Sequence, residues 1–67
     1  MRFYRVYLVG DAGRLQLGPA YEALDDPAAI EQARQAQAGG AAAELWHGGR
    51  LVGRFSKLGV FTPASQD

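Results

Sequence analysis

Sixty-seven residues without a cysteine, with one histidine and a formal net charge of zero, exclude a disulfide-stapled scaffold and Cys-ligated zinc, and leave no basis for a cofactor or metal site. A chain this short lies near the lower limit at which one core supports folding, so stability must come from the apolar core, which oligomerisation can supplement. The neutral total argues against a dedicated nucleic-acid binder.

The first element is read at Phe3-Tyr4-Arg5-Val6-Tyr7-Leu8-Val9, where aromatic and β-branched residues suit a pleated surface. Phe3, Arg5, Tyr7 and Val9 share one face and Tyr4, Val6 and Leu8 the other. Both faces are largely apolar, which predicts a strand inside the sheet. Gly10-Asp11-Ala12-Gly13 is turn chemistry. A second extended segment starts near Arg14-Leu15-Gln16-Leu17, is interrupted at Gly18-Pro19, and resumes around Tyr21–Leu24. Proline cannot donate to a ladder, so this segment belongs at an edge or a bulge.

Asp25-Asp26-Pro27 marks a helix start, with Asp26 the expected N-cap and Pro27 the first helical residue. The helix is expected to run to about Ala38 and stop at Gly39-Gly40. Its apolar stripe is Ala29, Ile30, Ala33 and Ala36, so strand residues must supply most of the core volume. A third strand (Ala41–Trp46) and a fourth (Arg50–Phe55) flank Gly48-Gly49, and Gly-Gly provides the two positive-φ residues of a primed hairpin turn. A two-residue turn sets Trp46 opposite Leu51 and Leu45 opposite Val52, and is the preferred reading. A three-residue turn moves Trp46 into the loop. Leu51, Gly53 and Phe55 share a face in either case. Leu58–Phe61 extends the sheet, caps the core or docks on a partner, and residues 63–67 are expected to be a disordered tail.

The fold class is therefore α+β: a ββαββ chain forming a four-stranded, mainly antiparallel sheet with one helix on one face, as a single domain over residues 1–62. The short aromatic first strand, Asp25-Asp26 before an Ala-rich helix, and Glu44-Leu45-Trp46-x-Gly48-x-Arg50-Leu51-Val52 resemble small uncharacterised bacterial ββαββ proteins, a domain-of-unknown-function type, across residues 3 to 55. The resemblance implies the fold and a bacterial cytosolic setting, and carries no activity. Six arginines against one lysine, with twelve alanines, fit a GC-rich bacterial genome. No apolar run reaches the ~18 residues of a membrane span, and the N-terminus lacks a signal-peptide core, so the expected location is cytoplasmic.

Charge is unevenly spread. Arg2, Arg5 and Arg14 against Asp11 leave +2 over residues 1–20, and Glu22, Asp25, Asp26 and Glu31 put −4 in residues 21–31. Three constellations invite a chemical reading. His47 beside Arg50 has the makings of a small nuclease, but no second acid or base is placed by spacing, so an exposed turn residue is the simpler account. Trp46 is expected to fill the core, with an interface anchor as the alternative. Arg2, Phe3, Arg5 and Tyr7 interleave cations with aromatics, a pattern that serves single-stranded nucleic-acid binders and equally a half-buried strand. Asp25 and Asp26 read as capping groups rather than a metal or acid pair. Gly10–Gly13 lacks the context of a phosphate loop.

One thin helix cannot cover both faces of the sheet. The expectation is thus a non-enzymatic protein-interaction module, homodimeric through the open face or an edge strand, without cofactor or metal. Arg2, Phe3, Arg5, Tyr7, Trp46 and Phe61 are its candidate interaction surface.

Overall fold

The computed structural model describes residues 1–36 and 41–64. Strand β1 (Arg2–Val9) leads through a short 3-10 turn at Asp11–Gly13 into β2 (Leu15–Ala23). Helix α1 (Asp26–Ala36) precedes β3 (Ala42–His47), β4 (Arg50–Phe55) and β5 (Phe61–Pro63). The sheet is antiparallel in the order β2-β1-β3-β4-β5. The α+β class and the interior place of β1 are as the sequence indicates. The strand number is five rather than four, because Phe61–Pro63 pairs with β4.

β1 runs antiparallel to both neighbours, so β2 and β3 are parallel to each other and need a crossover connection, which α1 supplies. The helix lays its small side chains on the sheet. Tyr4, Val6, Ala23, Ala29, Ala33, Ala43, Leu45 and Phe55 form the buried core, with Leu8, Ile30, Val52 and Phe61 packed around it. Alanines at Ala29 and Ala33 let the helix approach closely, and Tyr4, Leu45 and Phe55 fill the space. The Tyr21 hydroxyl donates to the Ala29 carbonyl at 2.6 Å, tying helix to edge strand. At the other margin Arg34 lies over the Phe55 ring at 5.7 Å and donates to the Gly59 carbonyl.

The helix start differs from expectation by one residue. The Asp25 carboxylate accepts the Ala28 N–H at 3.0 Å and the Asp25 carbonyl accepts the Ala29 N–H, so Asp25 is the N-cap. Asp26 is the first helical residue and Pro27 the second. The expected end at Ala38 and Gly39-Gly40 lies outside the described residues.

Two bulges set which side chains share a face. On β2, Gly18 and Pro19 together oppose Val6, so the strand passes through the proline without ending. This is the edge strand, where a missing N–H leaves no ladder bond unmade. On β4 the pairs His47↔Arg50 and Trp46↔Leu51 give the two-residue turn, but Leu45 then opposes Gly53 rather than Val52. The extra residue, Val52, puts Leu51 on the Trp46 side and leaves Gly53 and Phe55 on the helix side, correcting the single face read for those three. In the turn only Gly48 has positive φ, 60°. That is the φ pattern of a type II′ rather than a type I′ turn.

β5 closes the sheet on this geometry. The Phe61 ring packs on Phe55 with centroids 5.0 Å apart and crosses over Gly53. A side chain at residue 53 would overlap that ring and the Thr62 carbonyl. Pro63 pairs with Gly53, and the Ala64 N–H donates to the Val52 carbonyl at 3.1 Å, so ordered pairing runs past residue 62. Residues 65–67 lie outside the described residues. No helix in the described residues is long and apolar enough to cross a membrane.

Candidate interaction face

The face away from α1 can be read in rows across the strands from the registers. Glu22 and Phe3 form the first row. Ala20, Arg5, Trp46 and Leu51 form the second, and Leu17, Tyr7, Glu44, Arg54 and Thr62 the third. Leu15, Val9 and Ala42 form the last. Apolar side chains occur in every row, and no described element lies over them. Phe3 is 55 % exposed, Leu15 48 % and Leu17 69 %. Tyr7, Val9, Trp46 and Leu51 are half-buried by their neighbours alone.

The polar groups in the centre of this face satisfy one another. The Trp46 indole N–H donates to Glu44 Oε1 at 3.1 Å, and Arg54 Nε donates to Glu44 Oε2 at 3.3 Å. The Tyr7 and Trp46 rings meet edge to face, centroids 6.4 Å apart. Trp46 is therefore fixed on the open face rather than filling the core, because the three-residue run Glu44-Leu45-Trp46 sends Leu45 to the helix and its neighbours outward. Arg5 and Glu22, by contrast, form no ion pair with any described residue.

Four of the six surface residues expected from sequence meet here: Phe3, Arg5, Tyr7 and Trp46. Arg2 and Phe61 do not. Arg2 points to the helix side and Phe61 packs on the core. The sequence reading missed Leu15, Leu17, Glu22 and Leu51. The bulges hide them, since simple alternation along β2 or β4 changes phase at the inserted residue.

A second cluster forms where the hairpin turn meets the start of α1. Asp26 Oδ1 accepts from the Tyr4 hydroxyl at 2.6 Å and from Arg50 Nη2 at 3.1 Å, with Arg2 Nη1 at 3.5 Å. Arg50 Nη2 also lies 3.3 Å from His47 Nδ1, and the His47 ring packs on Tyr4 with centroids 5.1 Å apart. The Arg50 guanidinium and then the Tyr4 hydroxyl hold the Asp26 carboxyl below the usual carboxylate range. Burial, reinforced by Asp26, pushes the Tyr4 phenol up. His47 is half-buried rather than exposed at the turn. Arg50, the cation that would hold a phosphate beside it, is engaged by Asp26. The arrangement locks the β3–β4 turn to the helix start.

No family model, no curated protein and no solved structure matches this chain.

Proposed function

We propose that this chain is a non-enzymatic protein-interaction module that pairs with a second copy of itself through the open sheet face. The observation that carries the reading is that Phe3, Tyr7, Val9, Leu15, Leu17, Trp46 and Leu51 all lie on the face opposite the helix, around the paired Glu44 and Arg54. Sheets bury such faces against another layer, and exposed apolar patches mark association sites. The strands offer about 500 Å² of flat footprint from strand spacing and rise, so two such faces clear the ~1,000 Å² expected of a specific interface once side-chain relief is counted.

The edges support pairing less well. β2 carries the Gly18-Pro19 bulge, and β5 has three residues ending in Pro63. Both are devices that blunt edge-to-edge addition.

Sedimentation equilibrium over a range of concentrations tests the reading. A 14-kDa dimer (twice the 7.2 kDa chain) is expected, and Leu17→Glu should weaken it at least tenfold without loss of fold. A wild-type monomer at millimolar concentration overturns it.

One observation favours a second reading, a single-stranded nucleic-acid platform. Phe3, Arg5, Tyr7 and Trp46 share one face, and bases stack on such aromatics. Glu22 and Glu44 on the same face oppose it, as does the engagement of Arg2 by Asp26. Titration with mixed single strands at low salt distinguishes the two, since a salt-dependent complex is expected only of the second. A hydrolase built on His47 is the least supported, for Arg50 is already paired with Asp26.

A further inference from the structure

Closing a second layer over the open face would bury its charges, and a buried charge is tolerated only when paired. Glu44 and Arg54 already answer each other. Arg5 and Glu22 do not, and they are of opposite sign, one row and one strand apart. We propose that in the dimer Arg5 of each copy pairs with Glu22 of the other, and that this reciprocal pair sets the register of the interface. The inference rests on the self-pairing reading above.

The reason is symmetry. A two-fold axis relating the copies makes every contact occur twice, so residue i meets j and j meets i. One axis passing between the two positions therefore pairs all four charges at once. A second copy of this chain is guaranteed to carry the complement that any other partner would have to supply separately. Apolar contacts around Phe3, Tyr7 and Leu17 would provide area without fixing direction, whereas like charges set opposite each other exclude the wrong registers.

The test is a charge swap followed in trans. Arg5→Glu alone sets carboxylate against carboxylate across the interface, and Glu22→Arg alone sets guanidinium against guanidinium. Each variant should dimerise at least tenfold more weakly than wild type. An equimolar mixture of the two should regain affinity to within about threefold of wild type, as a heterodimer identified by native mass spectrometry. The neutral variants R5Q and E22Q provide a milder pair should a reversed charge disturb the fold, and each should weaken the dimer less than its reversed counterpart.

Recovery in the mixture is the decisive readout. Were Arg5 to pair with Glu22 of its own chain, the double swap R5E/E22R would recover and the mixture would not. A mixture no tighter than its components, or single variants that dimerise like wild type, overturns the inference while leaving the homodimer standing. A monomeric wild type removes both.

Discussion

Asp25 and Asp26 are neighbours in sequence and answer to different partners. Asp25 bonds the Ala28 N–H at the helix start, and its replacement by alanine should cost about 1 kcal/mol, read as a lower urea midpoint at unchanged slope. Asp26 joins helix, first strand and hairpin turn through Tyr4 and Arg50, so its titration is linked to folding. Its folded-state pKa lies below that of the unfolded chain, whose ordinary value is 3.8. The carboxylate thus contributes fully above that pH, and the contribution is lost as pH falls through the folded value. Stability measured from pH 6 to pH 2 should fall for wild type and be flatter for Asp26→Asn, which starts lower. Tyr4 and Tyr21 give the opposite slope. Burial pushes Tyr21 up to about 12 from 10.0, so its contribution is present below pH 10 and is lost as pH rises from 10 toward 12. Tyr21→Phe should remove part of that alkaline loss and leave the part due to Tyr4.

Among the elements, β5 depends on a residue it does not contain. Phe61 rests where the side chain of residue 53 would be, so a glycine in β4 makes room for the next strand. Gly53→Ala is expected to destabilise the fold by about 1–3 kcal/mol, the usual range for overpacking. Hydrogen exchange should locate the damage: the amides of Phe61, Thr62 and Ala64 should lose protection first, and those of β1 and β3 last. Gly53→Val should exaggerate the same pattern. The bulges act on elements too. Without them Leu51 would join the helix side and Leu15 with Leu17 would leave the open face, dispersing the apolar surface.

For the molecule as a whole, the small core makes assembly a matter of stability as well as function. The helix contributes alanines to its buried face, and the largest fully buried side chains are Tyr4, Phe55 and Leu45. If the open face is buried between two copies, folding and dimerisation are linked by mass action. The thermal midpoint should then rise by a few degrees for each tenfold increase in chain concentration, given the steep response of small domains. Calorimetry at micromolar and millimolar protein checks this, and Leu17→Glu should abolish the dependence. An unchanged midpoint would identify a monomer stable on its own.

Local chemistry in the chain was enough to specify the α+β class, the interior position of the first strand, the alanine stripe of the helix and the two-residue turn at Gly48-Gly49. Each of these depends on neighbours a few residues apart: alternation, helical spacing, a cap before a proline, a glycine pair. The fifth strand, the exchange of roles between Asp25 and Asp26, and the outward placement of Trp46 were decided only by tertiary packing. Phe61 joins the sheet because a bulge and Gly53 open a place for it on the preceding strand, and Asp26 is claimed by Arg50 from 24 residues away. The open face follows the same rule. Its composition is visible along the strands, but an inserted residue reverses the alternation from that point on, and only the pairing of one strand against the next reveals where the phase changes.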